Sequence, residues 1–309
     1  MAVPASASSS ASAAVQPDAP DAAHEPARAR RRRLSRSRKL TAGLLIVGFF
    51  ALLATVGAAF ASGATTIGDD VLLAPSAGHW LGTTDTGQDV FELLLLGSRG
   101  SLLIGVVAAS AAVAVSTVIG VVGGYLGGAA DEFLSLLTNV VLVLPGLPLV
   151  IMITDYVGNR SLLVIALVIA FTTWAAPARV LRSQVLSLRS RDYVAAAKVS
   201  GERTWRIMAF EILPNLIPLI ASQFVFGLVL AILTDAGLAF LGLGNLDGRT
   251  WGSMLYFAQN GQALQLGAWW WFVPPGACIA LVGTGLSLIN FGLDELLNPR
   301  LRTWKGARS

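Results

Sequence analysis

The chain has 309 residues, of which 54% are hydrophobic and only 13% are charged, and its formal net charge is +4. A soluble domain carries about a quarter charged residues, so this composition excludes an ordinary water-soluble protein and indicates a polytopic membrane protein. The single cysteine, Cys278, excludes an intrachain disulfide. With one cysteine and two histidines, a dedicated soft-metal site is not expected.

Residues 1–39 form a predicted cytoplasmic tail. The first 27 residues are rich in Ala, Ser and Pro and lack apolar periodicity, so disorder is expected there. Lys and Arg are concentrated between Arg28 and Lys39, a pattern also compatible with nucleic-acid binding or a cleavable secretion signal. The following apolar run is longer than the 7–15-residue core of such signals. The interpretation we favour is a retained anchor attracted to anionic lipid.

Six uncharged runs are long enough to approach a membrane span, which needs about 20 residues. In lipid they must be helices, because only an intrasegment ladder satisfies every backbone amide. The predicted fold is therefore all-α with six transmembrane helices. The runs are Leu40–Ser62, Ser101–Val122, Phe133–Thr154, Ser161–Ala178, Asn215–Thr234 and Ala268–Leu293.

The basic residues predict the orientation of these spans. Placing the N-terminus inside leaves only Arg99, Arg160 and Arg249 outside, which agrees with the positive-inside rule. The predicted organisation is a first span at 40–62, an extracytoplasmic loop at 63–100 and a core of five spans at 101–293. That core contains a basic loop at 179–214, and a cytoplasmic C-terminal tail follows at 294–309.

The basic loop predicts two short helices at the membrane surface. Asp192 favours a helix N-terminus, and the alanines after it are strong helix formers. Gly201 is expected to end the first helix, and a second one is expected from Thr204 to Ile212. Tyr193, Trp205 and Phe210 would offer contact area to a partner. The alternative is an ordinary basic loop between two spans.

The spacing within this loop resembles the coupling loop of bacterial ABC-importer permeases, in which an E-A-A triplet is followed by a glycine and later by a leucine-proline pair. Ala196, Ala197, Gly201 and Leu213-Pro214 fit that pattern, whereas Ala195 stands where the family has glutamate. We hypothesise that docking here depends on shape and on basic residues. Glu202 is too far along the helix to replace the missing acid.

A second resemblance starts at residue 79. Gly82, Thr83, Asp85 and Asp89 resemble the G-T-D-x-x-G-x-D segment of the C-type permeases of dipeptide, oligopeptide and nickel importers, with a one-residue slip. Further patches of the same resemblance follow along the chain. They are Gly97–Leu102, Gly123–Gly128, Ala236–Gly244 and Asn298–Arg300.

The resemblance implies the type-I ABC-importer permease fold and a transport subunit without its own ATPase site. It implies four partners in the bilayer and around it: a second homologous permease, two cytosolic ABC ATPases that bind ATP and Mg, and an extracytoplasmic solute-binding protein. Short peptides are the implied substrate, with nickel chelates or oligosaccharides as alternatives.

The resemblance also implies two sets of site residues. The residues expected to couple to the ATPases are Tyr193, Ala195, Ala196, Ala197, Gly201, Glu202, Arg203, Trp205, Leu213 and Pro214. Those expected to dock the binding protein are Gly82, Thr83, Asp85, Asp89 and Trp251.

The spans themselves offer a few polar side chains for a translocation path. Thr172, Thr173, Ser222 and Gln223 are expected to face the pore, although ordinary interhelical hydrogen bonding also explains them. Asp235 is expected at a solvated outer helix end, with a contribution to the mouth of the pathway as the alternative. No phosphate-binding loop, catalytic constellation or metal site is recognised, and nucleic acid is not an expected partner.

The main competing interpretation is a self-sufficient secondary transporter. Ionisable residues in the middle of the membrane and inverted repeats would support this interpretation, and neither is apparent in the sequence. A membrane scaffold or sensor is the third interpretation, and it leaves the spacing of the basic loop unexplained.

Overall fold

The computed structural model describes residues 38–57, 61, 67–158, 161–246 and 249–297. The predicted tails therefore fall outside the described residues, apart from Arg38, Lys39 and the end of the last helix. Within the described part, the chain is helical and its only β pairing is an isolated bridge between Thr83 and Asp89. The all-α prediction is confirmed.

Ten helices are formed by the described residues. They are α1 (Arg38–Gly57, with a π turn at Leu53–Gly57), α2 (Val90–Leu126), α3 (Gly128–Val143), α4 (Gly146–Val157), α5 (Leu162–Thr173), α6 (Ala175–Leu188), α7 (Asp192–Val199), α8 (Thr204–Phe240, with a π turn at Ile207–Ile212), α9 (Trp251–Asn260) and α10 (Trp269–Leu297).

Four of these helices, α1, α2, α8 and α10, are each long and apolar enough to cross a membrane. The total becomes six if α3 with α4, and α5 with α6, each count as one broken span. The prediction of a single straight helix at Phe133–Thr154 is wrong, because the chain turns by 90° between α3 and α4. Pro145 explains this break, since proline lacks an N–H and disfavours helical backbone at the residue before it.

The predicted fourth span, Ser161–Ala178, is also broken. Its two halves, α5 and α6, meet at an angle of 46° beside Trp174. Pro177 lies in the first turn of α6, where its missing N–H leaves the carbonyl of Thr173 without the usual helical donor.

Two predicted loops are shorter than expected. Residues 90–100 were assigned to the extracytoplasmic loop, but α2 begins at Val90 because the Asp89 carboxylate accepts hydrogen bonds from the backbone N–H groups of Phe91 (2.8 Å) and Glu92 (3.1 Å). Glu92 and Arg99 interrupt the apolar run before Ser101, so the sequence pattern predicts a later start for this helix. The segment between the predicted fifth and sixth spans also contains a helix, α9.

The basic loop at 179–214 differs from its prediction at both ends. Helix α6 continues to Leu188, and the expected second short helix, Thr204–Ile212, is the beginning of the continuous helix α8. The π turn at Ile207–Ile212 precedes Pro214. A wider turn of this kind accommodates the disruption that proline causes in a helix.

Helix α2 is the centre of the bundle and packs against α5, α6 and α8, while α1 packs against α10. The α2–α6 crossing depends on small residues. A Cβ atom added at Gly120 would lie 2.8 Å from the Leu181 Cβ, and one added at Gly124 would lie 2.8 Å from the Val185 Cβ. Such close backbone approach is typical of helix pairs in membranes. Within the Gly123–Gly128 patch, only Gly127 and Gly128 have positive φ, and the chain turns there between α2 and α3.

Candidate functional site: a surface helix and an adjoining cavity

Helix α7 is a two-turn surface helix with one fully buried side chain. Val194 is fully buried, whereas Tyr193, Ala195 and Ala196 are exposed. Val194 belongs to an apolar cluster contributed by the ends of α2 and α6 and by the start of α8. The other buried members are Val121, Tyr125, Val185, Ile207, Ile212 and Leu216.

The end of α7 is defined by Gly201, as the sequence predicted. Gly201 has φ of +77°, its N–H donates to the Lys198 carbonyl (3.1 Å), and the Glu202 N–H donates to the Ala197 carbonyl (3.1 Å). This is a Schellman motif, which satisfies the last carbonyls of a helix and favours glycine at the left-handed position. The Lys198 ammonium lies 5.0 Å from the ring centroid of Tyr125, which adds a cation–π contact to α2.

The first turns of α8 extend the surface beside α7. Arg206 pairs with Glu202 at 3.2 Å, and Arg203 precedes the helix as its N-cap. The rings of Trp205 and Phe210 are exposed and contact each other edge to face, with centroids 6.4 Å apart. Leu213 packs against the apolar cluster and Pro214 is exposed. The predicted coupling residues therefore lie on α7 and on the adjoining turns that follow it.

Ionic and polar contacts join α6 to its neighbours at the same end of the bundle. The Arg182 guanidinium donates to both carboxylate oxygens of Asp131 in α3, with a distance of 2.6 Å from Nη2 to Oδ2. Arg189 Nη1 donates to the Gly124 carbonyl of α2 at 3.1 Å. A bidentate Arg–carboxylate pair restricts geometry as well as adding energy, so these contacts hold α2, α3 and α6 in a defined arrangement at this end.

A cavity of about 900 Å³ lies between α2, α6 and α8, with one residue each from α5 and α10. Three predicted pathway residues, Thr173, Ser222 and Gln223, line it. Thr172 does not, and its hydroxyl donates to the Ile169 carbonyl of its own helix at 2.9 Å. Sequence reasoning missed the remaining polar lining residues, which are Gln184, Asn215 and Asn290.

Asp235 is not at a solvated helix end, as had been expected, since only 1% of its surface is exposed. It is also absent from the cavity wall. The cause is α9, which packs against this part of α8. A Cβ atom added at Gly252 would lie 2.7 Å from the Ala236 Cα, so the two backbones are in close contact around Asp235.

At the opposite end of the bundle, most of the predicted docking residues hold the 67–89 loop together. Gly82 (φ +70°) and Thr83 are buried, and the Thr83 hydroxyl accepts from the Leu73 N–H at 2.8 Å. Asp89 caps α2 and lies 2.8 Å from the His79 Nδ1. Among these loop residues, Asp85 is exposed, and desolvation by the protein atoms around its carboxyl raises the pKa of that group above the ordinary value.

Trp251 is fully buried at the start of α9, which corrects the expectation that it offers a surface to a partner. Its indole Nε1 donates to the Leu94 carbonyl at 3.3 Å, and its ring packs edge to face on Phe50 with centroids 5.5 Å apart. Its side chain is therefore part of the α1–α2–α9 core. A role in docking can only be indirect, through the position of α9.

Two comparisons with known proteins, one with family models and one with individual relatives, agree with this architecture. Residues 116–303 match the family described as "Binding-protein-dependent transport system inner membrane component". The chain is 34% identical to the dipeptide transport system permease protein DppC of Bacillus subtilis (strain 168) over 277 residues, which cover 88% of this chain and 85% of the relative.

Two other relatives show comparable similarity. The probable D,D-dipeptide transport system permease protein DdpC of Escherichia coli (strain K12) is 36% identical over 230 residues, covering 74% of this chain and 76% of the relative. The oligopeptide transport system permease protein OppC of Bacillus subtilis (strain 168) is 34% identical over 231 residues, covering 74% of each chain.

Proposed function

The chain belongs to the family of binding-protein-dependent transport system inner membrane components, and we propose that it forms half of the translocation pathway of an ATP-driven importer of short peptides. The names of the similar permeases, which refer to dipeptides and oligopeptides, support peptides as the substrate class. Nickel chelates and oligosaccharides are the alternatives within the same importer class.

The observation that carries the coupling role is the burial of Val194 beneath an otherwise exposed helix. Force applied to the Ala195–Ala196 surface of α7 reaches the ends of α2, α6 and α8 through the cluster around Val194. Small alanine side chains let a partner's groove approach the backbone closely, and Tyr193 and Trp205 supply larger contact areas at the edges. Such an arrangement transmits rigid-body motion.

A subunit that receives force through α7 needs partners at both ends of the bundle and beside the cavity. Two cytosolic ATPase subunits bind ATP and Mg and grip α7, while a second homologous permease closes the open side of the cavity. A solute-binding protein docks at the opposite end, where Asp85 is exposed. Closure of the ATPases pulls α7 and opens the pathway outward, and hydrolysis returns it to the inward-facing state.

The orientation we propose places α7 in the cytoplasm of a bacterial cell, with both termini on that side of the inner membrane. The α7 end of the bundle carries Arg182, Arg189, Arg191, Lys198, Arg203 and Arg206. Basic residues near span ends favour the cytoplasmic side, and the anionic lipid of that leaflet attracts them.

Reconstitution of the complete importer in proteoliposomes tests this function. We expect the binding protein loaded with peptide to stimulate ATP hydrolysis, and uptake of labelled peptide to require ATP, both ATPases and this chain. Uphill uptake of peptide by this chain alone would contradict the proposal and would identify a self-sufficient secondary transporter.

A further inference from the structure

The cavity between α2, α6 and α8 has polar walls without charge. The residues that line it include three amide side chains near α8 and α10, one amide on α6 and two hydroxyls, but no Asp, Glu, Lys, Arg or His. The polar members are Thr173, Gln184, Asn215, Ser222, Gln223 and Asn290. The apolar members, among them Phe226 and Leu230, complete the walls between them.

Neutral walls are selective in a different way from charged ones. Within a membrane protein a fixed charge interacts strongly with a second charge nearby, so a carboxylate in this cavity would retain cationic solutes and repel anionic ones. Amide and hydroxyl groups instead both donate and accept hydrogen bonds. They therefore match the N–H and C=O groups that every peptide carries, whatever its side chains.

The polar groups of α8 form a row along the cavity. On α8, Asn215, Ser222 and Gln223 lie on the face that lines the cavity, and Asn215 and Gln223 are about 12 Å apart along the axis at a rise of about 1.5 Å per residue. An extended peptide advances about 3.3 Å per residue, so this row corresponds to about four residues of substrate.

Four of the six polar groups make hydrogen bonds within the protein and two remain available. The Thr173 hydroxyl donates to the Ile169 carbonyl at 2.8 Å. The Ser222 hydroxyl donates to the Asn290 Oδ1 at 2.8 Å, which fixes Asn290 at the wall, and Asn215 Nδ2 donates to the Glu211 carbonyl at 2.7 Å. In the part of the chain that the structure describes, the side-chain amides of Gln184 and Gln223 are not engaged in a hydrogen bond. They are the groups best placed to bind a solute.

We propose that Gln184 and Gln223 bind the main chain of an extended peptide, and that this subunit's half of the pathway does not discriminate between peptides by side-chain charge. This inference rests on the proposed peptide-import function and adds the determinant of selectivity. A cavity of about 900 Å³ is at the upper end of the range for small-molecule sites, which leaves room for different side chains around one main-chain row.

The test uses the complete importer in proteoliposomes, at concentrations of each peptide that saturate the binding protein. The probes are trialanine and the tripeptides Ala-Lys-Ala and Ala-Glu-Ala. The variants are Gln223→Glu, Gln223→Lys, Gln223→Leu and Gln223→Asn, with Gln265→Glu as the matched control because Gln265 is exposed outside the cavity.

We expect Gln223→Glu to shift the uptake ratio of Ala-Lys-Ala to Ala-Glu-Ala in favour of the lysine peptide by about tenfold, equivalent to about 1.4 kcal/mol. Gln223→Lys should shift it by a similar factor in the opposite direction, and Gln265→Glu should leave it unchanged. Gln223→Leu should slow the three peptides equally, whereas Gln223→Asn should retain most of the uptake.

An unchanged ratio in both charged variants, or undiminished uptake by Gln223→Leu, would overturn the inference. Where Gln223 variants fail to assemble, the same substitutions at the exposed Gln184 decide the question by the same ratio. A wild-type importer that hydrolyses ATP but takes up none of the three peptides would contradict the proposed substrate class itself, which is a separate result.

Discussion

The backbone N–H of Trp251 donates a hydrogen bond to the hydroxyl of Ser101 at a distance of 3.0 Å. This bond joins the first residue of α9 to the α2 span, 150 residues earlier in the chain. Together with the indole bond to Leu94, it makes α9 a rigid extension of the central helix. These two bonds fix the position of α9 relative to α2.

Replacement of Trp251 by alanine is expected to destabilise the protein by about 3–5 kcal/mol, the usual cost of removing a buried tryptophan side chain. The measurement is the thermal unfolding midpoint of the purified subunit in detergent. Trp269→Ala is the control, because 53% of Trp269 is exposed, and it should change the midpoint little. Equal shifts for the two variants would contradict the anchoring role of Trp251.

Val194→Ala is expected to loosen α7 from the bundle. Full burial of a valine side chain contributes about 1.5–3 kcal/mol, and α7 has a single fully buried side chain. Trypsin should then cleave after Lys198 faster in the variant than in the wild type, because cleavage requires local opening. Val199→Ala provides the matched control, since Val199 is 90% exposed; cleavage that accelerates equally in both variants would show that Val194 does not hold the helix.

A larger residue at the α2–α6 crossing should separate these helices. We expect Gly120→Val to lower stability by about 1–3 kcal/mol, a typical cost of overpacking, since an added Cβ would already lie 2.8 Å from Leu181 Cβ and 2.9 Å from the Ala178 carbonyl oxygen. Gly283→Val meets nothing within 4 Å at its Cβ and is the control. The unfolding midpoint in detergent distinguishes them, and a tolerated Gly120→Val would refute the close crossing.

Ala195→Glu restores the acid of the related coupling loops at an exposed position, so we expect no loss of folding. If docking depends on shape and on basic residues, coupling is retained, and peptide-stimulated ATP hydrolysis per peptide transported stays within about twofold of the wild-type value, a difference below 1 kcal/mol. Loss of coupling in Ala195→Glu would count against that hypothesis.

The sequence alone indicates the parts of the structure that depend on local chemistry. The apolar runs identify the membrane-crossing regions, and Asp192, the alanines and Gly201 correctly predict α7 and its end. These features depend on helix propensity, capping and left-handed backbone conformation, each determined within a few residues.

Features that depend on tertiary contacts could not be predicted in the same way. Val194 resembles any other valine beside small residues, and its burial is visible only once the ends of α2, α6 and α8 are brought together. Asp235 was placed in water because it ends an apolar run, but α9 covers it. Gln184 and Asn290 come from distant parts of the sequence, so no short sequence pattern around either residue indicates that both line one cavity.

Cysteine crosslinking from α7 tests the central claim most directly, namely that this chain is a gate moved by ATPases that grip α7. In a Cys278→Ala background of the assembled importer, Ala196→Cys should crosslink to an ATPase subunit, because Ala196 lies on the exposed face of α7. Tyr156→Cys is the control, since Tyr156 is 94% exposed at the end of α4 and should give no such crosslink. Absence of the Ala196 crosslink in an importer that hydrolyses ATP and transports peptide would contradict the claim.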